Sequence, residues 1–373
     1  MRRLLMKVPL LDLKPQYAQI KDKVIPEILD IIENQAFILG PRVEKLESEM
    51  SQYIGSKHAL GCSSGTDALL LALMALDIGQ GDEVITTPYT FFATAGSIAR
   101  VGAIARFVDI EPDTYLMRVD QIEKAITPKT KAIMPVHLFG QCVDMKPLMD
   151  IAKKHNLRVI EDACQAIGSK YDGIQAGAFG DAGCFSFFPS KNLGCFGDAG
   201  LCSTNNSALQ DRLKGLRVHG GIVQYHHQEV GLNARIDALQ AAVVSVKLPY
   251  LAGWTEGRRR NASLYNKLFA GNSKVTTPIE KPGRFHIYNQ YVIRVENRDA
   301  LKAHLGEKSI GCSVYYPLSL HQQNCFANLG YRQGDFPESE RAANTTLALP
   351  IYPELSEEQI RYVAETINAF TVA

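Results

Sequence analysis

From about residue 55 to residue 205 the chain alternates short apolar runs with helix-like segments, and this rhythm limits its fold more than any other feature. The runs are EVITT at 83, ARFVDI at 105, KAIMPVHLF at 131, LRVIEDA at 157, GCFSFF at 183 and GLCST at 200. Helical patterns lie between several of them, over 66–76, 94–100 and 145–155. Apolar runs of this length, separated by helices, imply an α/β domain with a mainly parallel sheet. After Asn233 the rhythm changes. A helical pattern passes through Leu239, Val243, Val246 and Leu248 and breaks near Pro249. Strand-like YNQYVIRV at 288, CSVYYP at 312 and a helical C-terminus follow. The expected organisation is a large α/β domain over 1–250, with an N-terminal arm, and a smaller α+β domain over 251–373.

Several function classes drop out on charge and composition. Forty Lys and Arg against 39 Asp and Glu leave a net charge of +1, with no electrostatic footprint for nucleic acid or an anionic membrane. No apolar run approaches the length needed to cross a bilayer. The eight cysteines contain no CxxC pair, which predicts reduced thiols and a cytoplasmic protein. His226 and His227 are adjacent, so their side chains diverge, and no set with zinc-like spacing accompanies them; no metal site is expected. His137, at the end of MPVHLF, reads by default as a satisfied core histidine.

In a parallel sheet, ligands bind beyond the carboxyl ends of the strands. Three features fall there. Ser63, Ser64, Gly65, Thr66 and Asp67 run into an apolar helix, whose free N–H groups suit a phosphate, although an ordinary N-cap looks the same. Glu161 and Asp162 end an apolar strand, where a carboxylate needs a partner unless it caps the next helix. Lys191 sits between an aromatic run and a glycine-rich stretch in FSFFPSKNLGCFGDAG, a place where lysine is more often simply solvated. Together the three are the parts that hold pyridoxal 5′-phosphate: a phosphate cradle, an acid for the pyridine nitrogen and a Schiff-base lysine. Neither a dinucleotide fingerprint nor a Walker A motif competes.

With FILGPRVEKLESEM, SGTDALLLAL, VIEDACQAIGS, SFFPSKNLGCFGDAG, GLNARIDALQAA and LALPIYPELSEEQ in this order, the chain resembles the DegT–StrS family of sugar aminotransferases over nearly its whole length. The resemblance implies fold type I, the aspartate aminotransferase-like architecture of pyridoxal 5′-phosphate enzymes. It implies that Lys191 is the Schiff-base lysine, that Asp162 bonds the pyridine nitrogen and that Gln165 approaches the ring hydroxyl. Phosphate contacts fall on Gly65, Thr66, Asp67 and Ser186. Phe91 matches the aromatic that stacks on the cofactor, with Phe92 as the alternative. Asn233 matches an asparagine that reaches the neighbouring subunit's phosphate, which implies a homodimer with shared sites. Arg235, His227 and Tyr315 match substrate positions, and Tyr315 stands where some members carry histidine.

The implied partners are L-glutamate, leaving as 2-oxoglutarate, and a nucleotide-linked ketosugar that receives the amine from pyridoxamine 5′-phosphate. The lysine stretch is similar to that of enzymes aminating 3-keto sugars, with a UDP-linked 3-keto-N-acetylglucosaminuronic acid as the best match. A dTDP-3-keto-6-deoxyhexose is the alternative substrate, and a 4-keto sugar a further one. A dehydratase of this fold would replace Lys191 by histidine. A non-catalytic regulator would not need Asp162, Gln165, Ser186 and Lys191 intact.

Overall fold

The computed structural model describes residues 6–221, 223 and 225–372. Seven strands build its main sheet: β1 (His58–Cys62), β2 (Glu83–Thr86), β3 (Ile104–Phe107), β4 (Thr130–Ile133), β5 (Arg158–Asp162), β6 (Ala182–Ser186) and β7 (Gly200–Thr204). Their order is β1-β7-β6-β5-β4-β2-β3. The pairs β5–β6, β4–β5, β2–β4 and β2–β3 are parallel, and only β7 runs against its neighbours. A hairpin-like return explains β7: it follows β6 after a thirteen-residue loop with no helix to carry the chain across.

Helices α1 (Lys14–Glu33), α2 (Pro41–Ile54), α3 (Gly65–Ala75), α4 (Ala93–Arg100), α5 (Met145–Lys154), α6 (Ser207–Arg217) and α7 (Ala238–Lys247) cover this sheet. The sequence of α3, GTDALLLALMA, is apolar nearly all round, and the helix is correspondingly buried against β6 and β7. After β1 the chain crosses to β2 and β3 at the far edge, then fills in β4, β5 and β6 between them. The direction of travel therefore reverses between β2 and β4, which opens a crevice at the carboxyl ends of the central strands.

A second core forms around β8 (Tyr291–Arg294) and β9 (Thr346–Leu349), paired antiparallel, with α8 (Leu251–Phe269), α9 (Arg298–Glu307) and the C-terminal helix Glu357–Val372. The chain passes from one core to the other within α8, whose Trp254 packs with the first and whose Tyr265 packs with the second. Val8 joins the second core through a parallel bridge to Ile310. The two cores are fastened at several points. The Asp109 carboxylate accepts the Glu338 and Ser339 N–H groups, each at 2.9 Å, and so caps α10 (Pro337–Thr345). Arg258 donates to the carbonyls of Tyr288, Asn289 and Ile351 from a fully enclosed position.

Candidate active site

At the start of α3, Ser64 is the N-cap, its Oγ accepting the Asp67 N–H at 3.0 Å. The Asp67 carboxylate in turn accepts the Ser63 and Ser64 hydroxyls. The Asp67 N–H and Oδ2, in a residue expected at the phosphate, are thus engaged within the cap. The Gly65 and Thr66 N–H groups find no acceptor among the described residues and remain open donors at a positive helix end. Gly65 is pressed against β6: a Cβ there would lie 2.7 Å from Ser186 Cβ and 2.9 Å from Cys164 Sγ. Gly65, Ser186 and Cys164 therefore share one small cradle.

At the end of β5, successive side chains point to opposite faces. Glu161 turns inward and accepts from Gly177 N, Phe179 N and Gly180 N and from His137 Nε2 at 2.9 Å. His137 Nδ1 accepts the Val143 N–H, so the ring is a neutral, satisfied core histidine. Asp162 faces the other way. Its Oδ2 accepts the Thr94 hydroxyl at 2.7 Å and its Oδ1 the Cys164 N–H at 3.3 Å. Gln165 follows one turn later, its amide fixed at both ends: Oε1 accepts the Phe139 N–H at 2.8 Å and Nε2 donates to the Tyr316 hydroxyl at 2.7 Å.

Tyr316, from the C-terminal part of the chain, stacks on Phe139 and meets Tyr89 edge-on. Tyr115, Phe139 and Tyr316 all hold positive φ, at 62°, 56° and 57°. Each such residue costs roughly 1 kcal/mol or more, and backbone strain of this kind collects at functional sites.

Lys191 lies in the loop between β6 and β7, which is tightly built. Cys195 N donates to Phe187 O, Phe187 N to Ala199 O, and Asn192 Nδ2 to Ile287 O. Gly194 has no room for a side chain, since a Cβ would lie 2.7 Å from Phe188 O. Burial pushes the Lys191 amine below its ordinary value, and the nearby Cys164 and Asp162 oppose that shift. Its Nζ takes part in no hydrogen bond or ion pair found among the described residues. A partly desolvated amine biased toward its neutral form is a nucleophile and a proton carrier.

Asn233, Arg235 and His227 form a separate group. Asn233 is exposed, and the backbone of Arg235 pairs with Cys62 at the outer edge of β1. His227 donates to His219 O and, with Arg235, Lys214, Arg217 and Tyr225, lines a cavity of about 940 Å³. Among the described residues no side-chain bond links these three to Asp162, Gln165, Ser186 or Lys191. Tyr315 is half-buried beside Tyr316, and it is Tyr316 that bonds into the site. Phe91 is 58 % exposed, while Phe92 is engaged with Phe326, ring centroids 5.6 Å apart. The sequence reading missed Thr94 and Tyr316. A signal for the first was present, because Thr90 and Thr94 are spaced to share a helical face; nothing local marked the second.

The chain as a whole is similar to known proteins. The chain is 50 % identical, over 98 % of its own length and 99 % of the other's, to a protein of Geobacillus stearothermophilus described as a pleiotropic regulatory protein. It is 45 % identical, over 97 % of both chains, to the UDP-N-acetyl-3-dehydro-alpha-D-glucosamine 3-aminotransferase of Acidithiobacillus ferrooxidans. The crystal structure of Streptomyces venezuelae DesV, in complex with a ketimine intermediate, superposes with a TM-score of 0.96 at 36 % identity, covering 98 % of this chain and 99 % of that one. The model of the DegT/DnrJ/EryC1/StrS aminotransferase family matches residues 18–368, and the chain belongs to that family.

Proposed function

We propose that this chain is a nucleotide-sugar aminotransferase that carries pyridoxal 5′-phosphate and moves the amino group of L-glutamate to the 3-keto carbon of a UDP-linked N-acetylhexosamine or its uronic acid. The observation that carries this reading is Lys191: a half-buried lysine with no hydrogen-bond or ion-pair partner among the described residues, beside the buried Asp162 carboxylate. The surrounding residues fit the cofactor. Open N–H groups at Gly65 and Thr66, with Ser186 against them, suit its phosphate. Asp162 supplies the charge that keeps a pyridine nitrogen protonated, and the exposed Phe91 offers a ring face.

When bound, pyridoxal 5′-phosphate provides an electron sink for a carbanion. The protein's part is to hold and move protons. Asp162 would hold positive charge at the ring nitrogen. Burial biases the Lys191 Nζ toward its neutral form, and it would take up and return the proton at Cα of glutamate in one half-reaction and at C3 of the sugar in the other. Gln165, locked by Phe139 and Tyr316, would orient the ring oxygen. The cavity lined by His227 and Arg235 suits the diphosphate of the nucleotide. That cavity is set apart from Lys191, and Asn233 is exposed beside it, which supports a homodimer in which each chain completes the other's site.

The test is an absorption spectrum of the cofactor-loaded protein before and after L-glutamate, followed by a panel of UDP- and dTDP-linked 3-keto sugars. Glutamate should bleach the long-wavelength band and one ketosugar should restore it, naming the substrate. Lys191→Ala should retain cofactor and lose turnover by about 10²–10⁴-fold or more; normal turnover in that variant would end the proposal. The description of the Geobacillus relative favours a second reading, a regulator on the same fold. A protein that loads no cofactor and ignores glutamate would establish that reading instead.

A further inference from the structure

Thr94 stands out among the threonines of this chain. Thr345, Thr366 and Thr371 each donate their hydroxyl to the carbonyl four residues back, the ordinary resting place of a helical threonine. Thr94, in the first turn of α4, does not. Its hydroxyl crosses to Asp162 Oδ2 at 2.7 Å, and both residues are buried, Thr94 with no exposed surface. Thr94 has one proton and gives it to the carboxylate. At the 3.1 Å contact between Thr90 Oγ1 and Thr94 Oγ1, Thr90 is therefore the donor. Two hydroxyls, Thr90 then Thr94, are aligned head to tail toward Asp162, and each strengthens the next in a buried setting. The other carboxylate oxygen receives only the longer bond from Cys164 N.

We infer that Thr94 is a positioning residue for the reaction, acting through Asp162, with Thr90 as its second donor. This rests on the proposed function, because it assigns Asp162 to the ring nitrogen of pyridoxal 5′-phosphate. A hydrogen bond to the charged carboxylate favours that charged form and so favours the proton on the ring side of the pair. It also fixes the carboxylate plane from α4, independently of β5. Removing the hydroxyl leaves the carboxylate free to turn and weakens its hold on the ring.

The experiment compares the loaded parent with Thr94→Val, Thr94→Ser and Thr90→Val. The readouts are equilibrium affinity for pyridoxal 5′-phosphate, the pH midpoint of the cofactor's long-wavelength absorption band, and kcat separately from KM. Thr94→Val keeps the shape of the side chain and should lower cofactor affinity by about 10-fold, the scale of one bond to a charged group. It should also shift the pH midpoint and reduce kcat more than KM for glutamate. Thr94→Ser should restore all three, and Thr90→Val should shift the midpoint the same way by less. A folded Thr94→Val with parental affinity and midpoint overturns the inference, as does a Thr94→Ser that behaves like valine, because the methyl packing would then be the role. Should Thr94→Val not fold, Thr90→Val decides by its midpoint. A parent that loads no cofactor overturns the proposed function and this inference together; a parent that loads and responds to glutamate isolates the question of Thr94.

Discussion

Lys247 on α7 is a buried amine beside the loop that carries Lys191. It donates to Gly194 O at 2.6 Å and lies over the Phe196 ring, with 2 % of its surface exposed. Burial pushes its pKa down to about 8 from 10.5, with the Cys195 thiol pulling weakly the other way. The sign of the pH effect follows. Below pH 8 native and unfolded chains both hold the proton, and the native state bears the full cost of a buried charge. Between about 8 and 10.5 the native chain has released the proton and the unfolded chain still binds it, so this residue's contribution to stability rises with pH. Chemical denaturation of the parent and Lys247→Met across that range should show a stability difference that moves in the parent's favour as pH rises. A difference that stays flat would mean the amine titrates as in the unfolded chain.

At the level of elements, the site depends on how closely α3 approaches β6. Gly65 is the contact point, and the sequence reading placed it there as a phosphate donor without any sign of how little space surrounds it. Gly65→Ala puts a methyl 2.7 Å from Ser186 Cβ, in a cradle walled by backbone and Cys164. Overpacking of this kind costs about 1–3 kcal/mol. Gly65→Ala should therefore lower stability to denaturant by that amount and weaken phosphate-dependent cofactor binding, measured by spectroscopic titration with pyridoxal and with pyridoxal 5′-phosphate. Equal losses for the two compounds would place the damage away from the phosphate. Six of the seven strands of the sheet were readable in advance because buried parallel strands leave continuous apolar runs; β1 (His58–Cys62) and the order of the strands were not. The cap chemistry was not: SSGTD reads equally as a phosphate cradle or an N-cap, and the structure shows the cap in the bond from Asp67 N to Ser64 Oγ while the Gly65 and Thr66 N–H groups stay open.

For the molecule as a whole, surface composition bears on assembly. Ile25, Leu29 and Ile32 form an exposed apolar stripe on α1, and Tyr225 and Val230 are more than four-fifths exposed near Asn233. Contiguous apolar surface of this sort marks an interface. In the homodimer proposed above, Leu29→Glu with Ile32→Glu should give a monomer by sedimentation and lose cofactor with it. Mixing inactive Lys191→Ala and Asn233→Ala proteins under exchange should restore activity, because a mixed dimer holds one complete site. No recovery in demonstrably mixed dimers would place Asn233 and Lys191 in the same chain's site.

Local pattern in the chain was enough for the α/β architecture and the family, and it picked out Asp162, Gln165, Ser186 and Lys191 as candidates for the site. Those depend on local pattern: apolar runs bounded by turns, small polar residues before a helix, a carboxylate and a lysine at strand ends. The resemblance had singled out Asp162 from its neighbour Glu161; tertiary structure supplied their partners, since strand alternation sends Glu161 to His137 and Asp162 to Thr94. It alone brought Tyr316 onto Gln165, across 151 positions of chain. The reason is physical. Periodicity records which face of an element is buried, whereas hydrogen bonds between distant side chains depend on how whole layers pack, and no local stretch of sequence carries that distance.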